Sequence, residues 1–149
     1  MSKINNIKGK CIFIASDHAG YKLKMSIINY FKKNKKEYLD LGTNSSSPVD
    51  YPDFAHLMSK KIKNINGQFG ILICGSGTGM SIAANRHNNM RVALCYDIKS
   101  TKLSRMHNNA NVMALGARLT KKNVALKCIN IFIKTKFDSG RHSRRLKKI

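Results

Sequence analysis

The chain has 149 residues, 42% of them hydrophobic, which suits a single domain with a core and argues against disorder. No apolar run approaches the roughly 20 residues of a membrane helix, and the polar, basic first ten residues lack the apolar stretch of a secretory signal; a cytoplasmic chain without a membrane partner is expected. The formal net charge of +21 raises nucleic-acid binding, but the lysines are scattered and enriched together with Asn and Ile, as AT-rich coding produces, so only salt-sensitive adsorption to polyanions is expected and no specific nucleic-acid partner.

Along the chain, Lys10 to Ala15 reads as a buried strand, followed by the polar turn Ser16-Asp17-His18-Ala19-Gly20. Leu23, Ile27, Ile28 and Phe31 mark one helical face, Glu37 to Leu41 a short strand, and Gly42 to Pro52 a loop. Phe54, Leu57, Met58, Lys61 and Ile62 predict a second helix, Phe69 to Ile73 a third strand, Met80 to Arg86 its helix, and Arg91 to Cys95 a fourth strand. Ile98 to Met106 is helical and Asn111 to Leu115 a fifth strand. Thr120 is placed to cap a last helix running to about Lys134, with Val124, Cys128, Ile131 and Phe132 inward.

Five apolar strands alternating with helices predict an α/β, three-layer, Rossmann-like fold around a five-stranded parallel sheet, in one domain over residues 1–149. Residues 1–9 form an N-terminal extension in this reading and 138–149 a basic tail. Ligands of such sheets bind at the carboxyl ends of the strands, which would gather Asp17, His18, Cys74 and the glycines after it into one cleft.

The densest chemical signal is Cys74-Gly75-Ser76-Gly77-Thr78-Gly79. A strand, a glycine loop and a helix in that order aim backbone N–H groups at an anion, and a thiol at the lip of the loop sits where its thiolate is favoured. The spacing is neither that of dinucleotide folds nor that of the P-loop. Cys11, Cys95 and Cys128 lie apart from it and form no C-x-x-C pair, so neither a disulfide framework nor a zinc site is expected.

S-D-H-A-G at 16–20, D-Y-P-D-F-A at 50–55, I-L-I-C-G-S-G-T-G-M-S-I-A-A-N-R at 71–86, L-S-R-M-H-N-N-A-N-V-M-A-L-G-A-R at 103–118 and G-R-H-S-R-R at 140–145 together resemble the ribose-5-phosphate isomerase type B family, within the group that also holds galactose-6-phosphate isomerase. The resemblance implies an aldose–ketose isomerisation of D-ribose 5-phosphate and D-ribulose 5-phosphate through an enediolate, with no metal and no cofactor. It implies His107 as the group that opens the furanose and Cys74 as the base, since positions 79 and 80 are Gly and Met and offer no carboxylate. Ser76 and the backbone N–H groups of Gly75, Gly77, Thr78 and Gly79 would stabilise the enediolate. Asp17, Tyr51 and Asn108 would hold the sugar, and His18, Arg118, Arg141 and Arg145 the phosphate. The resemblance also implies a homodimer or tetramer with active sites shared between subunits. Arg144 blurs the assignment to Arg145. A hexose 6-phosphate as substrate remains the alternative, and a basic nucleic-acid-binding protein the more distant one.

Overall fold

The computed structural model describes residues 11–63 and 67–149; the expected N-terminal extension and Lys10 lie outside them. The elements run β1 (Cys11–Ser16), α1 (Tyr21–Lys33), β2 (Tyr38–Asp40), α2 (Tyr51–Lys61), β3 (Gln68–Cys74), α3 (Thr78–Ala84), β4 (Val92–Leu94), α4 (Ile98–Asn108), β5 (Val112–Gly116), α5 (Lys122–Lys134) and α6 (Arg141–Leu146). The five strands form one parallel sheet in the order β2-β1-β3-β5-β4, the Rossmann-like architecture expected. β1, β3 and β5 are central and buried, while the three-residue strands β2 and β4 form the edges.

Two apolar layers hold the sheet. On one face Leu23, Ile27 and Phe31 of α1 and Ala125, Cys128, Ile129 and Phe132 of α5 pack on Ile12, Ile14, Ile71, Ile73 and Met113. On the other, Ala55 and Met58 of α2 and Met80 and Ala84 of α3 pack on Phe13, Ala15, Leu72 and Ala114. Alternate residues of one strand serve opposite layers, as the two-residue strand period requires. The chain leaves β1 towards β2 on one side and β3 towards β4 on the other. The crevice between the carboxyl ends of β1 and β3 is therefore the topological switch point of the sheet.

Beside this switch point, Lys24 is fully buried, its Nζ donating to Asp40 Oδ1 at 2.5 Å and to the Thr43 carbonyl at 2.7 Å. The pair ties α1 and β2 to the loop after β2. That loop is laced to the end of β1 by hydrogen bonds from Ser16 N to Gly42 O and from Thr43 N to Ser16 O, both 2.8 Å.

Several boundaries differ from the sequence expectation. α2 begins at Tyr51, inside the expected loop, because Pro52 occupies the first turn, where its missing N–H has no intrahelical partner to lose. α3 begins at Thr78, two residues early. Gly77, at φ 80° and ψ −20°, turns the chain directly from loop into helix. Thr120 does not cap α5: its N–H bonds to Gly116 O within the turn after β5, and Lys121 supplies the first helical carbonyl, to Ala125 N. Ile131 is half-buried, and Ala125 and Ile129 take the inward positions. The basic tail contains α6, whose His142 is buried. Among the described residues no helix is long and apolar enough to cross a membrane.

A Cβ at Gly77 would stand 2.6 Å from Leu94 Cδ1 and 2.9 Å from the Leu115 carbonyl carbon, at a left-handed φ of +80°. Gly77→Ala should cost about 2 kcal/mol or more in urea unfolding, and an unchanged midpoint would contradict this packing. Burial, followed by the charges of His107, Arg141 and Arg145, holds the imidazole of His142 below its ordinary 6.5, against the opposing charge of Asp138. The unfolded chain then binds a proton there more readily than the folded one. Stability from this group is complete above pH 6.5 and is lost as pH falls towards the depressed folded value. His142→Phe should flatten that acid-side decline in unfolding curves measured as a function of pH.

Candidate active site

The carboxyl ends of β1, β3 and β5 lie side by side, with Ser16 paired to Ile73 and Cys74 to Gly116. The loops after them are tied together by backbone: Asp17 N to Ile73 O at 3.1 Å, Ala117 N to Cys74 O at 2.8 Å and Arg118 N to Gly75 O at 3.0 Å. A cavity of about 270 Å³ opens there, lined by Asp17, Tyr51, Cys74, Gly75, Ser76, Gly79, Arg118 and Leu119. Half of the residues expected to bind or react thus meet in one place.

Each is held by a local device. Asp17 Oδ1 accepts the Gly20 N–H at 2.9 Å, which fixes the carboxylate as α1 begins. Tyr51, at the start of α2, lays its ring over Gly79, where a Cβ would come within 2.7 Å of the phenol Cζ. The Arg118 guanidinium lies beside Gly75, its Nη1 3.0 Å from where a Cβ would be.

Cys74 Sγ accepts the Gly77 N–H at 3.1 Å, so the glycine loop folds back on the sulfur that precedes it. The other three thiols are placed differently. Burial pushes Cys11 and Cys128 up and takes Cys95 to about 11, so they are inert packing groups. Ser76 Oγ accepts the Thr78 N–H at 3.2 Å at the cavity rim.

The remaining expected residues lie elsewhere. His18 does not line the cavity; its Nδ1 sits 3.2 Å from the Val49 N–H and 3.1 Å from the Val49 carbonyl, buttressing the loop that leads to Tyr51. Gly77 is a buried member of the loop, and Thr78 lines an adjoining cavity of about 420 Å³ with Ser76, Leu94, Tyr96 and Leu119. Leu119 is a lining residue that the sequence reading missed; its only signal was an apolar side chain in the polar turn after β5.

His107, Asn108, Arg141 and Arg145 are at the opposite edge of the sheet. α4 descends from the carboxyl end of β4 to the amino end of β5, so its last residues, His107 and Asn108, are carried away from Cys74. Eleven residues of helix make that displacement on the order of 15 Å. α6 packs against the same end of α4 and brings Arg141 and Arg145 with it. Asn108 there lines a separate cavity of about 450 Å³ with Arg91, Ser104 and Leu146. One chain carries both groups of residues and does not unite them.

The overall fold is shared with solved structures. The ribose-5-phosphate isomerase B of Thermotoga maritima is 45% identical and superposes with a TM-score of 0.90, covering 95% of this chain and 97% of that one. The isomerase B from Anaplasma phagocytophilum is 41% identical at a TM-score of 0.88, covering 97% and 99%. That of Mycoplasma genitalium, solved with bound ribulose 5-phosphate, is 42% identical at 0.87, covering 93% and 92%. A family model described as Ribose/Galactose Isomerase matches residues 12–149, and with these likenesses it shows that the chain belongs to that sugar-phosphate isomerase family.

Proposed function

We propose that this chain interconverts D-ribose 5-phosphate and D-ribulose 5-phosphate, with Cys74 as the base that moves the proton between carbons 2 and 1. The observation that carries this reading is the sulfur itself: Cys74 Sγ lies at a strand end in the cavity wall and accepts the Gly77 N–H at 3.1 Å. Family membership and the ribulose 5-phosphate bound by the Mycoplasma genitalium relative support the substrate.

The steps follow from the residues. The furanose opens when a proton is delivered to the ring oxygen and another is taken from the C1 hydroxyl, the role we give to His107. The Cys74 thiolate takes the C2 proton, and the electron pair moves through C1 onto the aldehyde oxygen. The resulting enediolate lies against the N–H groups of the loop from Gly75 to Gly79 and the Ser76 hydroxyl. Cys74 returns the proton to C1, and the oxygen at C2 becomes the ketone as its proton passes to O1. Asp17 and Tyr51 hold sugar hydroxyls, with Asn108. The phosphate lies on cations, Arg118 together with His18, Arg141 and Arg145.

His107, Asn108 and the α6 arginines stand at the far edge of the sheet from Cys74, so in this reading a second copy of the chain supplies them. A homodimer, alone or paired into a tetramer, is the smallest assembly that does so. The same reading places the enzyme in the cytoplasm.

Purified protein should interconvert the two pentose phosphates without added metal and at an unchanged rate after chelation. Cys74→Ala should fold and lose about a thousandfold or more in kcat. Full activity in that variant would remove the thiol from the mechanism. In a panel of pentose and hexose phosphates, preferential turnover of a hexose 6-phosphate would reassign the substrate.

A further inference from the structure

At the sheet edge opposite Cys74, the imidazoles of His107 and His142 lie face to face, 4.3 Å between centroids and within 9° of parallel. His142 is buried and His107 is half-buried, so the stack covers one face of the ring we assign to sugar opening. His142 has no role in the mechanism above.

The chain builds this stack deliberately. After α5 the segment from Thr135 crosses back over the end of α4, held by Arg105 Nε to Thr135 O at 3.3 Å and Asp138 N to Met106 O at 3.0 Å. Ser139 and Gly140 then both take positive φ, 58° and 54°. This reversal returns α6 against α4 with His142 on its inner side. A non-glycine residue at positive φ is costly and persists only where its surroundings fix it. What the turn accomplishes is to lay one imidazole on another.

We propose that His142 is the positioning residue of His107: its ring fixes the plane of the His107 imidazole so that a ring nitrogen meets the furanose oxygen in the assembled site. The proposal rests on the reading of His107 as the ring-opening group. The groups facing His142 are His107 from α4, Asp138 from the preceding segment, and Arg141 and Arg145 from α6 itself. Burial first, then His107 and the cations Arg141 and Arg145, hold His142 below its ordinary 6.5 against the opposing Asp138 carboxylate. A neutral aromatic face is then presented to a partner that gains and loses a proton, and the stack survives both states, whereas two stacked imidazolium rings would repel.

The role predicts a split between two reactions of the same protein. Ring opening is needed to consume the cyclic aldose. Exchange of the C1 hydrogen of ribulose 5-phosphate with deuterated water needs only the base and the enediolate, because that ketose cannot close a five-membered ring through its phosphorylated 5-oxygen. The experiment compares His142→Leu, which fills the space without a planar face, with His142→Phe, which keeps the face.

In His142→Leu, interconversion should fall by about tenfold to a hundredfold while C1 exchange stays at the wild-type rate. His142→Phe should retain interconversion within about threefold. The proposal is overturned if His142→Leu interconverts like wild type, if exchange and interconversion fall together, or if His142→Phe is as damaged as His142→Leu. A wild-type protein with neither interconversion nor exchange would instead overturn the underlying reading of the reaction.

Discussion

The polarity of the parallel sheet decides where everything chemical in this protein can be. All five strands point the same way, so every strand-to-helix loop emerges at one edge and every helix-to-strand turn at the other. Because β1, β3 and β5 are neighbours, the first residues past β1 and β3, Asp17 and Gly75, and the first two past β5, Ala117 and Arg118, are joined by backbone hydrogen bonds between adjacent strand ends and loops. The same polarity sends the end of α4 to the far edge. His107 and Cys74 are separated by the topology itself, and no rotation of side chains within one chain brings them together.

Within the near edge, main chain does most of the positioning. Asp17 and Arg118 are set by N–H groups bonded to the Ile73 and Gly75 carbonyls, and the sulfur of Cys74 by the N–H of Gly77. The outer wall depends on a longer chain of contacts. Buried Lys24 fixes Asp40 and Thr43, the loop continues past Val49 on His18, and α2 then opens with Tyr51 over Gly79. Of the four thiols, Cys74 lines the cavity and accepts the Gly77 N–H, while burial raises Cys11, Cys95 and Cys128.

The layered sheet was legible in the sequence because buried parallel strands are continuous apolar runs and the helices between them show a 3.6-residue stripe. Boundaries failed where a local signal had two readings. Pro52 reads as a breaker but is neutral in a first helical turn, and Gly77 reads as loop although its left-handed φ is what lets α3 start at Thr78. α6 was hidden by its charge, since only His142 of its six residues is buried. In the site, residues directly following a strand were legible, because topology alone places them. Leu119 and the His107–His142 stack were not: each depends on how a turn or a tail folds back, which no periodicity encodes.

In the mechanism we propose, two copies of the chain complete each reaction centre, one giving Cys74 and the other His107. The direct measurement is complementation between Cys74→Ala and His107→Ala, each inactive by itself, unfolded together and refolded as a mixture. Random pairing leaves one intact site in each mixed dimer, so interconversion should recover to about a quarter of the wild-type rate, while each variant refolded alone stays inactive. A mixture as inactive as its components, with mixed dimers demonstrably formed, would contradict the shared site.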